Sequence, residues 1–381
     1  MRKHWMDNLR WVTVLLVLFY HVIYFYNAKG TPGGAGGFYD DQPWDAVMSV
    51  LYPWFMMLLF LVAGISSRYA MEKMSLGRFV GKRTLKLLVP STIGLFVFQW
   101  MTGYFNTHVS GVNPMAGEPL VAQYFMWVLT GIGPLWFVQD LWVFSLLLVL
   151  FRVIGKDKLY SRIGKLFQGE SIGKVIGMVV IGFFLIWAGA QCSITLSEIT
   201  EDMDPKDIAI NVAGNIWNIY RPFAYFVPFL LGYYVFSHDA VQSVVTRMRI
   251  PMLILALASG AYFTYKMYGQ NDAAPAVLRS WLCNLYAWFV ILAMLGCFRA
   301  WADKTSRYAT YMTKSSYGIY VLHYLVVASL GYMLKYYTSL EPWVIYVIYT
   351  IAVMTLPFAL NEIIKRIPFI RWCVLGIKKK S

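Results

Sequence analysis

Three ionisable side chains at the start of the chain share one helical face. Asp7 and Arg10 stand at the beginning of the first apolar run, and His21 lies well inside it. At 100° per residue, His21 projects about 20° from Arg10 and about 40° from Asp7, with about 16 Å of helix axis between Arg10 and His21. A charge within the hydrocarbon core is costly, so such a stripe should face the protein interior and marks a candidate site.

His21 has the chemistry of a general base. A dry environment disfavours the imidazolium, and a neutral imidazole can take a proton from a hydroxyl near neutral pH. A histidine that only hydrogen-bonds a neighbouring helix would give the same pattern. The sequence leaves both interpretations open.

A second polar stripe lies near the C-terminal end. Ser316, Tyr320 and His323 follow i, i+4, i+7 spacing and share one helical face. They could line a substrate site or form a polar seam between helices. Asp140 and Arg221 also fall within apolar runs, where pairing between helices explains them as well as a direct role does.

Four cations precede Pro90 within nine residues: Arg78, Lys82, Arg83 and Lys86. Such a cluster at a helix end could clamp phosphate groups. Membrane topology and attraction to anionic lipid headgroups produce the same clustering and are the simpler explanation.

Apolar runs long enough to cross a membrane organise the whole chain. Of the 381 residues, 59% are hydrophobic and 14% are charged, against about 25% charged residues in a soluble domain. A span requires about 20 mainly apolar residues. The sequence predicts an all-α, polytopic helical bundle, a single domain over residues 1–381, with about ten spans near 9–28, 46–67, 87–106, 122–151, 174–192, 211–236, 251–268, 277–298, 315–336 and 342–364. The fourth run is long enough to be tilted or broken.

The charge distribution predicts that both termini are cytoplasmic. With ten spans and the N-terminus inside, most Lys and Arg fall on inner segments, and acidic residues fall on outer ones, as the positive-inside rule requires. The outer acids are Asp40, Asp41 and Asp45 in one loop and Glu198, Glu201, Asp202 and Asp204 in another. We therefore predict a multi-pass protein of the inner cell membrane.

Other classes of protein are disfavoured by the same sequence. The net charge of +14 follows topology and does not form a nucleic-acid surface. The four cysteines lack metal-ligand spacing, and we expect no metal site. The loop from Thr31 to Gly37 has the composition of a flexible linker; it is not a phosphate loop, because no strand precedes it.

Five motifs in order resemble the acyltransferase 3 family of integral membrane acyltransferases, from residue 7 to about 370. They are Asp7-Asn8-Leu9-Arg10 with His21, Phe60-Leu61-Val62-Ala63-Gly64, Arg83-Thr84-Leu85-Lys86 before Pro90, Leu135-Trp136-Phe137, and Ser316-Tyr317-Gly318-Ile319-Tyr320 with His323. The second motif looks like the family's turn into the cytoplasm. Lys86 stands where many members have a second arginine, which removes the planar fork that binds phosphate through two hydrogen bonds. The tail from Asn361 to Pro368 resembles the glucan-modifying branch, which includes a succinyltransferase for periplasmic glucans.

The resemblance implies transfer of an acyl group, acetyl or succinyl, from cytoplasmic acyl-CoA to a hydroxyl of an extracytoplasmic glucan or other glycoconjugate. No permanently bound cofactor is expected, since acyl-CoA is a donor substrate. His21 would be the general base, Arg10 would orient the donor or stabilise its oxyanion, and Asp7 would hold Arg10. Arg78, Lys82, Arg83 and Lys86 would bind the phosphates of CoA. The substrate cavity would be lined by Trp136, Asp140, Ser316, Tyr320 and His323.

A transporter or flippase for a glycan or lipid intermediate is the alternative, since buried ionisable residues and many spans suit it as well. The sequence shows no internal symmetry of the kind that many transporters have. A non-enzymatic scaffold would leave the alignment of Arg10 with His21 unexplained. The sequence does not predict the oligomeric state.

Overall fold

Most of the described residues are helical. The computed structural model describes residues 3–109, 113, 115–155, 157–167, 172–201 and 220–378, and these contain no strand. The all-α prediction is confirmed. The predicted loop acids Asp202 and Asp204 lie outside the described residues. The described α-helices are α1 His4–Phe25, α2 Ala46–Leu51, α3 Phe55–Lys73, α4 Leu76–Arg83, α5 Val89–Ser91, α6 Trp100–Thr107, α7 Leu120–Thr130, α8 Trp136–Val153, α9 Asp157–Leu166, α10 Ile172–Glu201, α11 Pro222–Leu231, α12 Asp239–Arg247, α13 Arg249–Lys266, α14 Pro275–Arg279, α15 Trp281–Trp301, α16 Arg307–Tyr337, α17 Pro342–Arg366 and α18 Pro368–Leu375.

Eight described helical segments are long and apolar enough to cross a membrane, or nine if the bent pair of α12 and α13 is one span. The sequence predicted about ten. The fourth predicted run is broken into α7 and the segment Gly133–Val153, and α7 alone has only 11 residues. In the sixth run, the described apolar helix Pro222–Phe236 is shorter than the roughly 20 residues that a span requires.

The chain forms two compact units whose segments alternate along the sequence. Unit 1 comprises residues 1–10, 49–80 and 143–306, and unit 2 comprises residues 11–48, 81–142 and 307–381. Helix α1 contributes its first turns to unit 1 and the remainder, with His21, to unit 2.

Glycine allows two helices of unit 1 to touch through their backbones. A Cβ on Gly64 would lie 2.0 Å from the Phe229 carbonyl oxygen, and a Cβ on Gly232 would lie 2.0 Å from the Leu61 oxygen. Any side chain at either position would force the helices apart. The expected turn at Gly64 is therefore wrong: α3 continues to Lys73, and Gly64 serves this close crossing.

Unit 2 uses glycine in the same way and adds a helix break. A Cβ on Gly103 would lie 1.7 Å from the Trp127 oxygen, so α6 and α7 pack closely. After α7 the chain passes through the 3₁₀ turn Gly133–Leu135 into α8. Gly133 has φ 41° and faces the Tyr324 ring, a conformation and a space that both favour glycine. This break places Leu135-Trp136-Phe137 at the start of α8.

Candidate functional site

Two histidines meet inside unit 2. His21 on α1 and His323 on α16 have ring centroids 5.0 Å apart, and His323 Nε2 lies 3.4 Å from His21 Nδ1. His323 is fully buried, whereas His21 is half-buried. The sequence selected both residues separately, and the structure shows that they form one pair.

Backbone carbonyls determine which nitrogen of each ring carries the proton. His21 Nδ1 lies 2.7 Å from the Val17 oxygen, and His323 Nδ1 lies 2.6 Å from the Tyr320 oxygen. A carbonyl can only accept, so each Nδ1 must donate and each neutral ring keeps its lone pair on Nε2. His323 Nε2 then faces the N–H of His21. Among the described residues no hydrogen bond engages His21 Nε2.

Tyrosines surround the histidine pair. The rings of Tyr20, Tyr24 and Tyr324 lie 5.1–5.6 Å from the His21 ring. The Tyr320 hydroxyl donates to the Pro134 oxygen at 2.7 Å and fixes the helix break next to the pair. Phe137, from the Leu-Trp-Phe motif, contacts the Tyr320 ring edge-on at 5.5 Å. The late-helix and Leu-Trp-Phe motifs thus pack against each other through Tyr320.

A lysine outside the predicted site residues holds the glycine-rich loop, residues 31–37. Lys335 Nζ donates to the carbonyl oxygens of Ala35, Gly36 and Gly37 at 2.6, 2.7 and 3.2 Å. The loop is also joined to α16 by the Tyr324 hydroxyl, 3.4 Å from the Gly33 oxygen. The segment interpreted as a flexible linker is therefore anchored to the helix that carries His323. The sequence signal that could have indicated this role is the position of Lys335 within an apolar run.

Arg10 and Asp7 interact at the start of α1, in unit 1. Arg10 Nη1 lies 3.4 Å from Asp7 Oδ1, and Nη2 donates to Ser66 Oγ at 2.8 Å. Both ionisable side chains are half-buried. The proposed role of Asp7 in holding Arg10 fits this contact, while Ser66 is a partner that the sequence did not indicate.

The four cations before Pro90 differ in their surroundings. Arg78 and Lys82 are exposed, one helical turn apart on α4, and make no hydrogen bond or ion pair among the described residues. Arg83 is half-buried. Lys86 Nζ instead donates to the Leu375 oxygen at 3.0 Å and lies 4.2 Å from the centroid of the Tyr317 ring. Lys86 therefore contributes to the packing of α18, and the exposed pair on α4 has the access that phosphate groups need.

The other predicted lining residues lie in unit 2. Asp140 is 6% exposed, and its Oδ2 has no hydrogen-bond partner among the described residues. Ser316 is buried on α16, and Trp136 is half-buried at the start of α8. Arg221 lies in unit 1, where Nη2 donates to the Tyr52 hydroxyl at 2.8 Å. No cluster of three or more His, Cys, Asp or Glu residues that could hold a metal occurs in the described part of the chain.

Comparison with known proteins gives one match. A family model described as an acyltransferase domain, of the acyltransferase 3 type, matches residues 3–362 and thus nearly the whole chain. Neither the curated proteins nor the solved structures give a significant match.

Proposed function

Because the chain belongs to the acyltransferase 3 family, we propose that this membrane acyltransferase moves an acyl group from acyl-CoA to a hydroxyl of a carbohydrate, with His21 as the general base. One observation carries the assignment of the base. Of the four ring nitrogens in the histidine pair, His21 Nε2 combines a lone pair, a half-buried position and no hydrogen-bond partner among the described residues.

The proposed chemistry is direct acyl transfer. His21 Nε2 takes the proton of the acceptor hydroxyl as its oxygen attacks the thioester carbonyl. The tetrahedral intermediate collapses with cleavage of the C–S bond, and the leaving CoA thiolate receives the proton from His21. His323 contributes a fixed acceptor that orients the His21 ring, and Tyr24 and Tyr324 restrict water around it.

Arg10 is proposed to contact the donor through a part other than its thioester. Arg10 lies about 16 Å along the helix axis from His21 and is therefore too distant for the carbonyl attacked there. We assign Arg10, held by Asp7 and Ser66, to the CoA part of the donor. Arg78 and Lys82 supply exposed charge for the CoA phosphates, with Arg83 beside them.

The acceptor is proposed to be an extracytoplasmic glucan or related glycoconjugate, and the acyl group acetyl or succinyl. Support comes from the tail after Asn361, which resembles the glucan-modifying branch. The predicted topology, with both termini cytoplasmic, would let acyl-CoA enter from one side and the glycan from the other.

A reconstituted transfer assay tests the proposal against the transporter alternative. Purified protein in liposomes receives acetyl-CoA or succinyl-CoA with an oligomeric glucan. Release of CoA thiol should require glucan, and mass spectrometry should find the acyl group on it. Acyl-CoA alone should raise the thermal stability, because a ligand of the native state must do so. Movement of glucan across the bilayer with no thiol release in the presence of either donor would contradict acyl transfer.

A further inference from the structure

An apolar groove of about 770 Å³ runs along the surface of unit 2. Its volume falls within the range of ligand pockets, about 300–1,000 Å³. Side chains from α6, α7, α16 and α17 line it, among them Phe105, Trp127, Ser329, Met333, Leu356 and Ile363. The groove is open at its edge, since Met333, Leu356 and Ile363 are 52%, 45% and 55% exposed.

The lining places this groove at membrane depth. Residues 100–105 belong to a segment long and apolar enough to span, and α16 and α17 are two further such segments. Solvent for an open groove at this depth is hydrocarbon. The occupant is therefore a lipid chain and not a soluble sugar or nucleotide.

The groove is longer than one leaflet. Asn361 on α17 packs against Gly318 on α16, so the lining residues Leu360 and Ile363 lie near the level of Gly318. Met333 lies fifteen residues further along α16, which corresponds to about 22 Å at the helical rise. Half of a hydrocarbon core about 30 Å thick is about 15 Å. A single fatty-acyl tail that ends at the bilayer midplane would leave part of this groove empty.

One end of the groove carries a free positive charge. Arg366 follows Ile363 by three residues on α17 and so lies one turn beyond it on a neighbouring part of the helix surface. It is exposed and makes no hydrogen bond or ion pair among the described residues. An exposed guanidinium at the end of a hydrocarbon-filled groove favours an anionic headgroup, since it can bind phosphate through two hydrogen bonds.

We propose that this groove binds a lipid with a phosphate headgroup and one chain longer than a leaflet, of the polyprenyl phosphate class, with the phosphate at Arg366. The site is separate from the acyl-transfer proposal and requires no particular role for His21. The part of the chain beyond the midplane would make packing contacts with groove side chains that a shorter chain does not reach, so it should add measurably to affinity.

Binding is tested with three phosphate lipids added to the purified full-length protein: a long-chain polyprenyl phosphate, short-chain farnesyl phosphate and dioleoyl phosphatidic acid. Native mass spectrometry measures occupancy, and thermal unfolding measures stabilisation. We expect the long-chain lipid to bind at least tenfold more tightly than either other lipid. Equal affinity for all three would show headgroup binding alone, and preference for phosphatidic acid would show an ordinary bilayer lipid; each result would overturn the proposal.

Groove variants localise the binding. Ser329→Trp fills the groove from α16 and should lower long-chain affinity at least tenfold; Leu356→Trp narrows it from α17 and serves if the first variant does not fold. Arg366→Gln should weaken binding several-fold. Leu257→Trp on α13 of unit 1, where Leu257 is 66% exposed, is the matched control and should change nothing. Unchanged long-chain affinity in both folded groove variants would place the lipid elsewhere and refute the site.

Discussion

Arg68 in unit 1 and the histidine pair in unit 2 have different kinds of hydrogen-bond partner. In unit 1 the Arg68 side chain is only 11% exposed and has charged partners: Nε donates to Glu72 at 2.8 Å, Nη1 lies 3.1 Å from Asp157 Oδ1, and the guanidinium lies 3.6 Å from the centroid of the Tyr160 ring. In unit 2 the hydrogen-bond partners of the His21–His323 pair are uncharged: two backbone carbonyls and the rings of the pair themselves. Each ring uses one nitrogen on a backbone carbonyl.

This difference distinguishes polar groups that stabilise the fold from polar groups that can react with a substrate. His238 lies beside this cluster: it stacks on Tyr160 at 3.9 Å, burial lowers its pKa, and its buried Nε2 has no hydrogen-bond partner among the described residues. A group held by charged partners within the protein, as Arg68 is, stabilises the fold but is not free to react with a substrate. His21, a half-buried residue, retains a lone pair on Nε2, which is the property that a base requires.

Removing Arg68 from its cluster with Glu72, Asp157 and Tyr160 should mainly lower the free energy of unfolding. Arg68→Ala removes the cation of Glu72 and leaves Asp157 with only its ion pair to Arg152 at 3.3 Å, and we expect a loss of about 2–3 kcal/mol. This is less than the 3–5 kcal/mol typical of fully buried pairs, because both carboxylate side chains are about two-fifths exposed. Thermal unfolding in detergent measures the loss, with exposed Arg307→Ala as the control. If the variant kept its stability but lost acyl transfer, Arg68 would belong to the reactive site and not to the structural cluster.

Replacing His323, the ring partner of His21, should lower kcat instead. His323→Phe removes the second, longer acceptor of the His21 Nδ1–H and leaves the Val17 oxygen as its only one. We expect kcat to fall about tenfold, equivalent to about 1.4 kcal/mol, with KM little changed. His323→Gln keeps an acceptor and should recover most of the rate. Equal rates for the two variants would mean that His323 only fills space.

Releasing the glycine-rich loop should have a smaller effect. Lys335→Met removes three hydrogen bonds to loop carbonyls while keeping the length of the side chain. We expect faster proteolysis at residues 33–37 and a three- to fivefold lower kcat, because His21 lies next to tyrosines that contact this loop. Lys335→Arg keeps a donor cation and should be protected. If the loop resisted proteolysis equally well in Lys335→Met and in the wild-type protein, Lys335 would not anchor it.

Removing the exposed cations should have the smallest effect. Arg78→Ala and Lys82→Ala are each expected to raise KM for acyl-CoA two- to fivefold with kcat unchanged, since one exposed charge contributes about 0.3–1 kcal/mol. The difference should shrink at high salt as the charges are screened. Lys314→Ala, at another exposed lysine, is the control. A KM indistinguishable from that of the control would mean that these cations set membrane topology or bind anionic lipid and do not bind acyl-CoA.

The sequence predicts the helices of this protein well and their interruptions poorly. Apolar runs revealed almost every spanning helix, because length and composition decide membrane insertion. The length of the fourth run hinted at a break, and the Gly133-Pro134 dipeptide is the sequence signal that could have located it, since Gly-Pro is typical of turns. The Tyr324 ring that packs against Gly133 could not be predicted. Gly64 was mistaken for a turn because glycine permits both a turn and close helix contact, and only the position of Phe229 distinguishes them.

The candidate site could be predicted in its residues but not in its connections. Helical projection selected His21 and His323 separately, yet their contact joins residues 302 positions apart in the chain. The partners of Lys86 and Lys335 are backbone carbonyls, which carry no signal in the sequence. Carbonyls also set the histidine tautomers, so identification of the available nitrogen required the structure.

Single-turnover transfer by His21→Gln tests the central claim most directly. Glutamine keeps a polar side chain of similar reach but cannot take a proton, and general bases contribute typically 10²- to 10⁴-fold. We predict a loss of at least about 100-fold in glycan-dependent CoA release, with thermal stability and acyl-CoA binding retained. A variant that binds acyl-CoA and transfers at the wild-type rate would contradict the assignment of His21 as the base.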